Sequence, residues 1–195
     1  MRRLGWLLLT LCAGCLFHNT SAPPRFFAPG LAADTVAADD DLAAPPRTGI
    51  PVRLRPVIGT AFLRERIVWR VSPVEYGQYS ERLWSELPAT YVQRALAVAL
   101  RETPGLRLTN DARAPALRVE VVAFDEVLSP AHTATVALAT SLWDPDRGGL
   151  LDRTFSATAP IDGDDPAMMA TAMGRALDEA TTAVAAAVST TLHAR

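Results

Sequence analysis

The stretch "HTATVALATSLWDPDRGGLLDRTFSATAPI", His132 to Ile161, decides the fold. Its first part sets Ala134, Val136, Leu138 and Thr140 at every second position, the period of a strand with one buried face. "DPDRGG" then places Pro145, Gly148 and Gly149 at a reversal, so "GLLDRTFSATAPI" is expected to return as a second, antiparallel strand. Immediately upstream, "ALRVEVVAFDEVLS" puts Leu117, Val119, Val121 and Ala123 on one face. Three strands in meander order follow from these periods, with a short strand in "LRLTN" ahead of them.

Outside the meander the period changes. "DDPAMMATAMGRALDEATTAVAAAVSTTL" begins with a capping Asp165 and with Pro166 at the first helical position. Met169, Met173, Leu177, Ala180, Val184 and Val188 then make a buried stripe at helical spacing, with Met168 expected in the same core. "SELPATYVQRALAVALRETPG" predicts an earlier helix, with Ser85 or Leu87 near the cap, Pro88 in the first turn and Gly105 closing it. Further back, "IPVRLRPVI" alternates Val52 and Leu54 against Arg53 and Arg55. In "RIVWRV" the same alternation assigns Ile67, Trp69 and Val71 to the core and leaves Arg66, Val68 and Arg70 facing out. Two planar cations around a small apolar residue suit a protein interface, so Arg66, Val68 and Arg70 are the candidate partner-binding residues. The expected fold class is α+β: a largely antiparallel sheet with two long helices packed on one face.

The N-terminal end has a different character. Arg2 and Arg3 precede an apolar run, Leu4 to Leu11, and small residues Ala13 and Gly14 lead to Cys15, the order of a secretory signal. The run covers about half of the roughly 20 residues that a spanning helix needs. "LCAGC" is similar to a bacterial lipobox, which implies that Cys15 is lipidated and becomes the new N-terminus while Cys12 leaves with the peptide. An ordinary secretory signal cut nearby is the alternative. The chain then divides into a signal peptide over 1–14, a tether over 15–24 and one domain over 25–195, with 30–49 expected as a long mobile loop carrying Asp39 to Asp41.

Composition narrows the function further. The net charge of -2 argues against nucleic acid as a partner. All 19 basic residues are Arg, which fits a GC-rich coding genome better than any function. Reactive groups do not converge: His18, His132 and His193 have no ligand spacing, no serine sits in a nucleophile elbow, and no phosphate-binding glycine loop occurs. "IDGDDP" lacks the pattern of a calcium loop and reads as a helix start. No metal, no cofactor and no enzymatic activity are therefore expected.

The stretch from Val52 to Leu100 resembles the ABC-type transport auxiliary lipoproteins, the group that includes the PqiC-like proteins. The matching residues are Pro56 and Val57, Phe62 and Leu63, Arg66 to Arg70, Trp84 and the helix from Pro88. "RFFAP" also stands where that family has its first short aromatic strand. Arg64 to Arg66, "RER", departs from a common Asp-Arg-Pro. The resemblance implies a lipid-anchored accessory and no catalyst. Its implied partners are an MCE-domain periplasmic protein and the ABC permease and ATPase, in a system moving phospholipids or other hydrophobic compounds across the envelope. Leu16 after Cys15 implies the outer membrane, facing the periplasm. The alternative is a lipoprotein that assists outer-membrane barrel or envelope assembly.

Overall fold

The computed structural model describes residues 23–30 and 48–194. The signal peptide, Cys15, most of the tether and most of the 30–49 loop lie outside these residues. In chain order the elements are β1 (Arg25–Phe27), β2 (Ile50–Leu54), β3 (Ile58–Gly59), β4 (Arg66–Ser72), β5 (Glu75–Trp84), α1 (Pro88–Glu102), β6 (Leu106–Leu108), β7 (Ala116–Val127), β8 (Thr133–Asp144), β9 (Gly148–Pro160) and α2 (Pro166–His193).

β7 is the spine. Along one edge it pairs antiparallel with β8, which pairs antiparallel with β9, as the alternation of those strands and their turn predict. Along its other edge three successive segments, β2, β3 and β4, lie parallel to it. β6 extends the sheet beyond β2, and β5 with β1 extends it beyond β4. The sheet is therefore mixed: its long pairings are antiparallel, and the short pairings that assemble the far half are mostly parallel.

Both helices join one apolar cluster with the same face of the sheet. Leu117, Val119 and Val121 point into it from β7, and Ala134, Val136 and Leu138 from β8. The expected stripe of α2, from Met169 to Val188, is buried throughout, whereas Met168 is exposed. The Asp165 carboxylate accepts from the Ala167 amide at 3.0 Å, which caps α2. α1 starts without a side-chain cap at Leu87; instead the Tyr91 hydroxyl holds Ser85 Oγ at 2.8 Å and accepts from the Glu86 amide at 3.0 Å. Gly105, at φ +79, turns the chain after α1 in a conformation that other residues rarely adopt.

Two strands depart from simple alternation. In β7 a bulge between Val121 and Ala123 shifts the phase, so Phe124 and not Ala123 enters the core, fully buried. In β4 an irregularity between Arg66 and Val68 leaves Ile67 and Val68 both buried, at 0% and 2% exposure. The expectation that Val68 faces solvent is thereby overturned. β4 is not an edge: β5 and β7 flank it, and Gln78 and Asp125 stand beside Val68 on either side. Trp69 is half-buried, its ring lying where a Cβ on Gly77 would be.

Candidate binding face

The helices cover one side of the sheet only. On the other side β8 and β9 present short side chains, among them Ala137, Ala139, Ser141, Thr154 and Ser156, in register across the two strands. Larger groups rise around this floor. Ile58, Phe62, Tyr76 and Trp143 are exposed, Trp143 at 56%. Isolated exposed apolar residues are ordinary; the aromatic residues and arginines that ring this floor are of the types enriched at binding surfaces.

At one end of this face stands a cation on aromatic rings. Arg70 donates from Nε and Nη2 to the same Asp125 oxygen, at 3.0 and 2.8 Å, and its guanidinium lies 5.0 Å from the Tyr76 ring centre. Tyr76 meets Phe62 edge to face at 5.0 Å. Asp125 is buried, so its partner anchors it in a low dielectric and fixes the Arg70 plane. The Asp125 Oδ1 also accepts from the Phe124 amide at 3.2 Å.

At the other end the face sinks into an open groove of about 550 Å³, lined by Arg55, Ile58, Arg118, Glu120, Ala139 and Asp152 among others. A smaller depression of about 340 Å³ shares Arg118, Ser141 and Asp152 with it and reaches Trp143 and Leu151. The register explains the shape: Arg118 stands opposite Ser141, and Ser141 opposite Asp152, on one face of three antiparallel strands. The short Ser141 between two long side chains makes the floor of the trough.

A separate polar cluster gathers around Glu126. This buried carboxylate is bridged at Oε1 by His132 Nε2 at 2.8 Å and faces Arg82 across 3.7 Å. Arg82 in turn lies 4.2 Å over the Tyr79 ring. Burial first, and then the Glu126 charge, push the Tyr79 hydroxyl up to about 12, because both penalise a phenolate there. The cluster ties β5, β7 and the loop between β7 and β8 together.

Of the three residues expected to meet a partner, only Arg70 reaches the bare face. It does so half-buried and paired. Arg66 is exposed, but its Nη1 donates to the carbonyls of Tyr79 at 3.1 Å and Ser80 at 3.0 Å, so it braces β5. Val68 is core. Sequence reasoning misses Tyr76, Arg118, Asp152 and Trp143. The alternation of β7, β8 and β9 carries the signal for the last three, since residues out of phase with a buried stripe share the opposite face. Among the described residues no three His, Cys, Asp or Glu side chains are grouped to hold a metal, and no helix is long and apolar enough to cross a membrane.

Among the described residues, a helix pair covers one side of a mixed sheet and leaves aromatic rings and arginines exposed on the other. The chain belongs to the family of ABC-type transport auxiliary lipoprotein components, whose model matches residues 35–185. That family is an auxiliary component of ABC-type transport. The fold is similar to that of protein XCC0632 from Xanthomonas campestris, of the family DUF330, at 21% identity and a TM-score of 0.67 over 87% of this chain and 97% of that one. An uncharacterized protein is similar at 16% identity and a TM-score of 0.65, over 86% of this chain and 100% of the other. The hypothetical protein CT253 from Chlamydia trachomatis is similar at 10% identity and a TM-score of 0.55, over 76% and 100%. No match was found among curated proteins.

Proposed function

We propose that the chain is a lipid-anchored accessory of an MCE-type ABC transport system, held through Cys15 at the periplasmic side of the outer membrane. In this reading it serves a system that moves phospholipids or other hydrophobic compounds across the envelope, and the permease and ATPase are separate chains. The bare sheet face carries the proposal: in a chain whose family serves ABC transporters, one side of the sheet is built for contact and left uncovered by its own helices. Exposed Trp, Tyr and Arg side chains are the types that dominate binding energy at protein interfaces. The partner surface moves accordingly, from the strand around Val68 to the face that runs from Tyr76 to Trp143.

The test has two arms. Cys15→Ser is expected to abolish acyl labelling and to release the protein from membranes; a variant that still pelleted after a high-salt wash would sink the anchor. In the second arm Tyr76→Asp, which leaves the Arg70–Asp125 pair in place, is introduced, and co-purification with the MCE-type protein is measured. Loss of co-purification is expected, and unchanged recovery would remove that end of the face as the docking surface.

A further inference from the structure

The groove contains a pattern of charge that packing does not require. Arg55 lies beside Arg118 because the Arg55 amide donates to the Leu117 carbonyl as β2 runs along β7. Arg118, Ser141 and Asp152 continue the same row across β7, β8 and β9. Across the sheet the row is cation, cation, hydroxyl, anion, and Glu120 adds a second carboxylate one step along β7. Neighbouring strands are about 4.8 Å apart, so about 10 Å of sheet separates the Arg118 and Asp152 backbones.

Single unpaired charges on a surface are ordinary. Here, however, two guanidiniums stand side by side, where each raises the cost of the other, while two carboxylates line the same groove. None of Arg55, Arg118, Glu120 and Asp152 forms an ion pair or a side-chain hydrogen bond with a described residue. The arrangement is complementary to a ligand with one anionic and one cationic end. Arginine forks match phosphate oxygens, and a carboxylate matches an ammonium. Ile58 beside the basic end and Leu151 with Trp143 beyond it supply apolar surface next to the charges. The groove's volume falls within the range of about 300 to 1,000 Å³ usual for small-molecule sites.

We infer that this row binds a group joining a phosphate to a primary amine, the chemistry of a phosphoethanolamine headgroup, with Arg55 and Arg118 on the phosphate and Asp152 and Glu120 on the amine. The source is a phospholipid, and to that extent the inference rests on the transport role proposed above. It adds a direct lipid contact on the accessory itself. A free phosphate would satisfy the arginines alone, and a purely anionic lipid would meet repulsion from the carboxylates.

The experiment titrates the full chain in a non-ionic detergent with four probes: short-chain phosphatidylethanolamine, short-chain phosphatidylglycerol, O-phosphoethanolamine and inorganic phosphate. Binding is read from the NMR signal of the Trp143 indole. The ethanolamine lipid is expected to saturate that shift and to bind about tenfold more tightly than the glycerol lipid, with O-phosphoethanolamine weaker at the same signal. Arg55→Gln with Arg118→Gln should weaken every phosphate-bearing probe by about tenfold or more. Glu120→Gln with Asp152→Asn should leave phosphate binding in place and erase the preference between the two lipids.

Equal affinity for the two lipids, inorganic phosphate binding as tightly as the ethanolamine lipid, or no saturable shift with any probe would each overturn the inference. A Trp143 response to the MCE-type protein but to no lipid would make the groove part of the protein interface and overturn it too. Co-purification of the unsubstituted chain with the MCE-type protein separates the two proposals. A chain that co-purifies but binds no lipid defeats the groove reading alone. Ethanolamine-selective binding by a chain that does not co-purify defeats the accessory reading alone.

Discussion

The two faces of the β7–β8–β9 sheet are made by alternate residues of the same strands, yet they obey different rules. On the helix side Val136 and Leu138 are sealed at 0% exposure; one position away, Ala137 and Ala139 form an open floor. Two tryptophans measure the contrast. Trp84 is 1% exposed and packs edge to face on Phe124 at 5.2 Å and on Tyr91 at 6.3 Å. Trp143, at 56%, lies over the hairpin glycines. One face uses its aromatic area for folding, and the other leaves it exposed.

If that division holds, its largest consequence falls on Trp84→Ala. Truncating a fully buried aromatic removes its transfer energy and leaves a cavity between β5, α1 and β7, at a cost of about 3 to 5 kcal/mol. That is a large share of the stability of a domain of this size. Chemical denaturation measures it directly, and a loss below about 1 kcal/mol would mean that the helix-covered face is not the core.

The helix-covered face is largely legible in the amino-acid sequence. Every member of the α2 stripe and of the β8 stripe is buried as their periods require, and Asp165 caps where its spacing predicts. What local pattern hides is set by distant chain. β5, "EYGQYSERLW", has no clean alternation because Gly77 must make room for Trp69 and Arg82 must reach Glu126. Without β5 beside it, β4 reads as an exposed strand and Val68 falls outside. The bulge in β7 has the same effect on "AFDEV": it carries Phe124 inward and buries Asp125 and Glu126, whose partners come from β4, β5 and the β7–β8 loop. Parallel pairing of β2, β3 and β4 with β7 leaves no local signature either, since each contact is made across tens of residues. The groove is hidden for that reason: Arg55 and Arg118 become neighbours only through such a pairing.

The cluster around Tyr79 sharpens the comparison through pH. Its hydroxyl titrates near 10 in an unfolded chain and is raised to about 12 in the fold. A raised value means that the folded state holds its proton more tightly. The associated stability is fully present below about pH 10 and is lost as pH climbs from there through about 12. Thermal melts across that window should show a falling midpoint, less steep in Tyr79→Phe. An identical slope in the variant would show that the phenol is as well solvated in the fold as outside it.

The smallest expected effect on stability is the most informative about function. Trp143→Ala removes an exposed ring that lies over Gly148 and Gly149, where an added Cβ would still stand 3.6 and 3.9 Å from it. The hairpin does not depend on that contact. Asp144 Oδ1 accepts from the amides of Asp146 at 2.9 Å and Arg147 at 3.3 Å, and Gly148 supplies the left-handed turn at φ +83. The substitution should therefore shift stability by no more than about 0.5 kcal/mol, the range for surface positions. Loss of ligand or partner binding at an unchanged melting midpoint would confirm that the bare face keeps its aromatic surface for contact. A destabilisation approaching that of Trp84→Ala would instead make Trp143 a structural strut, and both faces of the sheet would then belong to the core.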